Sequence, residues 1–261
     1  MVTNGTLLNH ELIQFFNQYN CNLTISFDGP EYIQNNQRPL ISNENSYFSV
    51  INNLINVNKN NIHIRATYYN LNISLKDIYK HIYNLGFEDI DIAPDFIHFN
   101  KNDFIKLNIY MDDLKDILIK HIILHKKIYM SPIRNSILNL LSPYISNNYK
   151  CQAGEHIFAI DPIGNIYPCH RFCGDDNHIL GNIFSENKLL PFNSKINKDK
   201  CKNCWNKFTC THGCIYNNYI KNGTYNYENE LFCLYSKKLT EISIEIIDKI
   251  SFEILNQILN F

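Results

Sequence analysis

Hydrophobic positions in the first part of the chain change period three times, from helical spacing to a short extended run. Asn9 can cap a helix carrying Leu12, Ile13, Phe15 and Phe16, and the extended residues 22–27 follow before the turn Asp28-Gly29-Pro30. Phe48, Ile51, Leu54 and Ile55 then keep helical spacing ahead of a β-rich run over 62–68. Ser74 caps a third helix with Ile78, Ile82 and Leu85, which Gly86 stops, and the run 89–93 precedes Pro94. Repeated helix-then-strand order predicts an α/β fold with a parallel sheet and helices outside it. Such a sheet carries its active groups at the carboxyl ends of the strands, here Ser26 and Asp28, Tyr68 to Asn70, and Ala93 to Asp95. Thr3-Asn4-Gly5 reads as a loop leaving a strand, yet two preceding residues leave no room for one. The sheet is therefore expected to begin at the Ile25 strand with a bare edge.

Beyond Pro94 the pattern is helical, with Leu107, Tyr110, Met111, Leu114, Ile117 and Leu118 on one face and a shorter helix over 137–145. Residues 143–150 read as a boundary, which gives an α/β domain over 1–142 and a second domain over 151–261. In the second, residues 157–160 and 165–167 flank Asp161-Pro162-Ile163-Gly164 as a hairpin. One amphipathic helix over 239–259 closes the chain, with Ile242, Ile246, Ile250, Ile254 and Ile258 on its packed face.

Charge narrows the partners. The 261 residues hold 24 basic and 25 acidic side chains, so no positive field is available to hold nucleic acid. No segment reaches the roughly 18 uninterrupted apolar residues of a membrane span. The N-terminus lacks a basic patch leading into an apolar run, which points to the cytoplasm and a reducing environment. Asn and Ile are each used about forty times while Gly is scarce, a bias that AT-rich codons explain. The cysteines are not spread in this way: Cys21 stands alone in the first part, and the other eight lie between Cys151 and Cys233.

Cys201, Cys204, Cys210 and Cys214 have the spacing C-x2-C-x5-C-x3-C, Cys233 follows, and Cys151 and Cys169 bracket the hairpin. Spacings this short let consecutive thiolates face one metal centre. Four ligands saturate one tetrahedral zinc or one cubane cluster, so seven ask for two centres. Structural zinc is the competing reading of the C-x2-C pair, and it leaves Cys151, Cys169 and Cys233 as spare thiols. Disulfides need an oxidising compartment that the N-terminus does not support.

The run from Cys151 through Gly164 and Cys169 to Cys201, Cys204, Cys210, Cys214 and Cys233 resembles the seven-cysteine SPASM domain of radical S-adenosylmethionine (SAM) enzymes. Residues 3–38, from Thr-Asn-Gly-Thr-Leu-Leu through Ile-Ser-Phe-Asp-Gly-Pro to Arg38, look like the middle of the radical SAM partial (β/α) barrel. The resemblance implies an incomplete barrel followed by a small cysteine-rich α+β domain with two auxiliary 4Fe-4S clusters. One ligand set would be Cys201, Cys204, Cys210 and Cys233. The other would be Cys151, Cys169 and Cys214, with one iron open to a substrate thiolate. Cys173 either fills that position or is a small buried hydrophobe. Ser26 and Arg38 correspond to SAM-contacting positions. Read from the residues alone, Ser26 satisfies a strand end and Arg38 pairs with a nearby carboxylate. Cys21 reads as core.

Residues 164–183 look most like maturases that build thioether links in ribosomally made peptides, so the implied partner is a cysteine-containing precursor peptide. Sulfatase-maturing relatives place an Asp base directly after the hairpin cysteine, where this chain has His170. His170 either relays a proton or orients its neighbours as a hydrogen-bond donor. The family's C-x3-C-x2-C loop, which binds the SAM-cleaving cluster, is absent from this sequence. The expectation is a C-terminal portion of such an enzyme, from an internal start, a split gene or a truncated reading, that binds clusters without turnover by itself. A missing or separate N-terminal radical SAM portion would complete it. Two other readings stay open: a zinc-bound structural or interaction module, and an iron-sulfur electron-transfer subunit serving a separate catalytic chain.

Overall fold

The structure is a computed structural model that describes all residues except 43, 56, 142–150, 193–200, 226–228 and 260–261. The boundary expected at 143–150 thus lies outside the described residues, as does the end of the helix expected over 137–145. The chain separates into two compact units, Met1–Leu138 with Lys238–Phe261, and Asn139–Lys237.

The first unit holds a parallel sheet of β1 (Val2–Thr3), β2 (Leu23–Ser26), β3 (Ile62–Tyr68) and β4 (Asp89–Pro94), in that order. The expected bare edge at β2 is corrected: Val2 pairs with Thr24 and Thr3 with Ile25. Two residues suffice because the Met1 carbonyl accepts from Thr24 N–H at 2.8 Å and the terminal amine donates to the Asn22 carbonyl at 2.6 Å.

Helix α1 (His10–Gln18) is capped by Asn9, whose side chain accepts from Leu12 N–H at 2.9 Å. Helices α2 (Glu31–Gln37) and α3 (Ser46–Asn53) precede β3, and α4 (Leu75–Asn84) starts at its Ser74 cap. The long α5 (Lys101–His125) opens with a capping box between Asn100 and Asp103 and buries Leu107, Met111, Leu114, Leu118 and Ile122. Helix α6 (Ser131–Leu141) follows. Paired tyrosines and histidines join α4 to α5, Tyr79 to His121 at 3.0 Å and Tyr83 to His125 at 2.9 Å.

Strict alternation gives the sheet two unlike faces. Leu23, Ile25, Ile62, Ile64, Ala66, Tyr68, Ile90 and Ile92 are buried. The opposite face carries Thr24, Ser26, His63, Arg65, Thr67, Asp89 and Asp91. Parallel strands covered on both faces are apolar throughout, so a polar face marks a side kept for chemistry or water. Its charges pair across the register, Arg65 with Asp91 and His63 with Asp89.

Burial alone would raise the Asp89 carboxyl, but hydrogen bonds from His63 and Ser131 and the charge of Arg134 hold it down at about 2. A depressed carboxylate adds stability that is complete above its ordinary value of 3.8 and is lost as pH falls towards 2. Helical circular dichroism of the wild-type chain should therefore weaken through this window, and Asp89→Asn should flatten that part of the acid profile. An unchanged profile in the variant would contradict the assignment.

The closing helix is two. Helix α8 (Glu230–Lys249) ends near Ser251, whose hydroxyl accepts from Ile254 N–H at 3.3 Å and starts α9 (Phe252–Leu259). Ile242, Ile246, Ile250 and Ile254 are buried as the spacing predicts. Residues from Lys238 onward, which the sequence reading kept in the second domain, group with the first unit, where Lys238 bonds both Asp112 oxygens at 2.8 and 2.9 Å.

The second unit has an antiparallel sheet of β5 (Ala159–Ile160), β6 (Asn165–Tyr167) and β7 (Gly181–Asn182), so the predicted hairpin forms. The Asp161 carboxylate closes its turn by accepting from Ile163 and Asn165 N–H. Gly164, at φ 90°, has no room for a side chain, since a Cβ would fall 2.8 Å from Phe184. Helix α7 (Ile215–Asn222) starts directly after Cys214. Among the described residues no helix is long and apolar enough to cross a membrane.

Candidate functional site

Cys201, Cys204, Cys210 and Cys233 line one cavity in the second unit, together with Asn206, Lys207, His212, Phe232 and Lys237. Short turns bring the first three together. Cys204 N–H donates to the Cys201 carbonyl at 3.1 Å, and Cys210 N–H to the Asn206 carbonyl at 3.0 Å. His212 and Gly213 then take left-handed backbone angles, φ 64° and 78°, and turn the chain away before Cys214. A Cβ on Gly213 would fall 3.0 Å from Phe232, so glycine here lets the loop close on the helix that bears Cys233. Asn206, 2% exposed, ties the loop to that helix by donating to Ser236 Oγ at 3.0 Å. Trp205 and Phe208 stand out from the same loop, 56% and 69% exposed.

A second group forms around the hairpin. Cys151 and Cys169 pack against a core of Ala153, Tyr167, Phe172 and Ile215, and Cys214 precedes Ile215. Burial pushes the Cys169 thiol up, and the neighbouring Cys214 and Cys151 raise it further, while the N–H groups of Arg171 and Phe172 oppose the shift. A thiolate at Cys169 is therefore disfavoured without a cation or metal nearby. The Arg171 guanidinium stands 3.6 Å from the neighbouring Cys214 Sγ, steadied by Asn217 and stacked 4.6 Å from the Tyr216 ring. Among the described residues no three His, Cys, Asp or Glu side chains converge closely enough for a single ion. The four cysteines of the first group share the lining of one cavity. Four soft sulfur donors fit an iron-sulfur cluster by type and number.

Other predicted positions fall as follows. His170 is exposed and opens a short 3-10 turn after Cys169. Cys173 is exposed, which removes its reading as a buried hydrophobe, and desolvation followed by the Asp161 charge raises its thiol. Cys21 is exposed as well, not core, because the buried alternation starts only at Leu23. Ser26 ends β2 on the polar face, half-buried. Arg38 forms the expected carboxylate pair, its Nε and Nη2 donating to Asp28 at 2.7 and 3.1 Å. Arg171, Asn206 and His212 were not foreseen. Their only signal in the sequence is their place beside or between cysteines.

No family model matches the chain. It is 28% identical to the Cysteine-type anaerobic sulfatase-maturating enzyme of Clostridium novyi, over 93% of this chain and 70% of that protein. It is 26% identical to the Radical SAM cyclopropyl synthase TigE of Paramaledivibacter caminithermalis, over 82% of this chain and 47% of the relative. A solved structure of anSMEcpe with bound AdoMet superposes with a TM-score of 0.72 at 19% identity, covering 99% of this chain and 74% of that one. The same enzyme with AdoMet and the Cp18Cys peptide gives 0.72 at 19% identity, over 95% and 74%. The chain is thus similar in sequence to these radical SAM enzymes and carries a partial radical SAM fold, an α/β parallel sheet with no closed barrel among the described residues.

Proposed function

We propose that this chain serves radical SAM modification of a peptide and holds two auxiliary 4Fe-4S clusters. The observation that carries the reading is the cavity shared by Cys201, Cys204, Cys210 and Cys233, the ligand set that the family resemblance implies. Cys151, Cys169 and Cys214 would hold the second cluster, with Arg171 balancing its charge. When bound, such clusters supply one-electron transfer at potentials set by sulfur hydrogen bonds, charge and burial. The residues' own work is to fix the sulfurs, shield Cys169 partly from water and leave a place for a substrate thiol where the second set has three cysteines. His170, exposed beside Cys169, would hold or orient a proton there. Ser26, on the polar face at the carboxyl end of β2, and Arg38 would contact SAM.

The substrate in this reading is a cysteine-containing ribosomal peptide in which a thioether is made, supported by the sequence around Cys169 and His170. Sulfatase maturation is the second reading, favoured by the 28% identity to a sulfatase-maturating enzyme. Metal and sulfide analysis after anaerobic reconstitution tests the shared part of both. Iron with equimolar sulfide is expected, and zinc without sulfide would overturn it in favour of a structural zinc module.

A further inference from the structure

His212 lies between two candidate ligands, Cys210 and Cys214, at a backbone φ of 64°. Left-handed angles at a residue other than glycine cost on the order of 1 kcal/mol and persist where the surroundings require them. The side chain is 9% exposed and lines the cavity shared by the four cysteines. Its Nδ1 is 4.0 Å from Cys201 Sγ, and its backbone N–H donates to Cys210 Sγ at 3.4 Å. One residue therefore reaches two of the four sulfurs, through the ring and through the backbone.

From this combination we infer that His212 is a positioning residue for the first cluster site, donating Nδ1–H to the sulfur of Cys201 and backbone N–H to that of Cys210. The inference rests on the reading that these cysteines hold a cluster. A metal-bound thiolate carries no proton and can only accept, which assigns the ring proton to Nδ1. Two N–H···S bonds keep the sulfurs turned to the cavity and draw charge from them, so they slow metal loss and raise the reduction potential. The strained backbone is what aims ring and amide inward together.

Three chains reconstituted anaerobically test it: wild type, His212→Gly and His212→Asn. Glycine relaxes the backbone and removes the ring donor, so the metal-free His212→Gly chain should melt no lower than wild type. Asparagine tolerates left-handed angles and presents Nδ2–H where Nδ1 stands. The readouts are the rate of iron transfer to a ferrous chelator and the midpoint potential from a redox titration followed by electron paramagnetic resonance. His212→Gly should release iron from this site about tenfold faster and titrate at a lower potential. His212→Asn should stay close to wild type in both. Wild-type rate and potential in His212→Gly would overturn the inference, as would His212→Asn behaving like His212→Gly. If wild type takes up no iron and sulfide, the cluster reading fails and this inference with it. Iron uptake with indifferent variants removes this inference alone.

Discussion

A chain reconstituted anaerobically should take up about eight iron and eight sulfide, and Cys204→Ala should lower both to about four. Cys204 shares its cavity with Cys201, Cys210 and Cys233, so removing it takes one of the four sulfurs from a site with no other cysteine in its lining. Cys169→Ala should cost the other half, because Cys169 packs with Cys151 on the hairpin core and its neighbours Cys151 and Cys214 lose their third partner. The two losses are independent if the sets are as assigned, and the double variant should hold almost no iron. Loss of all iron from either single variant would mean one shared centre and would break the division into two sets. Zinc in place of iron in every preparation would end the cluster reading altogether.

Arg38→Ala should lower the melting temperature by roughly 6–12 °C, even with no cofactor present. Asp28 is 1% exposed and accepts from Arg38 Nε, Arg38 Nη2 and Thr67 N–H. Without Arg38 the carboxylate stays buried with the Thr67 amide as its remaining bond among these. Breaking a buried pair from one side costs about 3–5 kcal/mol, and the 30% exposure of the arginine side chain favours the lower end. Asp28→Asn combined with Arg38→Gln should recover most of the loss, since no charge is then left unpaired. A wild-type melting temperature in Arg38→Ala would show that the pair adds nothing. Because this effect needs no SAM, it also separates the structural duty of Arg38 from the proposed contact with that cofactor.

Much of the first unit was legible because its signals are local. Asn9 and Ser74 cap the helices expected of them, and the alternation over 62–68 is the full length of β3. Pairing at a distance was not legible. Val2 and Thr3 form a strand only because β2 offers a matching register, and two residues carry no period of their own. Helix α2 is mostly polar, and what holds it is tertiary: Ile33 is buried and Gln34 accepts from Asp28 N–H through its side chain. Cys21 was misplaced by extending the strand's apolar pattern past Leu23 into a loop. In the site, C-x2-C spacing announced metal chemistry, but spacing could not tell whether Cys233 or Cys214 completes the first set. The structure adds that Cys233, and not Cys214, lines the cavity with the other three, which supports the set that the resemblance implies.

The single tryptophan of the chain, Trp205, stands half in solvent on the loop between Cys204 and Asn206. Its fluorescence therefore arises at one place, beside Cys204 and Asn206 of the four-cysteine cavity. An iron-sulfur cluster absorbs where indole emits and would darken it, whereas colourless zinc would leave it bright. Filling and emptying of the site beside it can thus be followed in real time and without a label, most cleanly in a chain whose second set has been removed by Cys169→Ala.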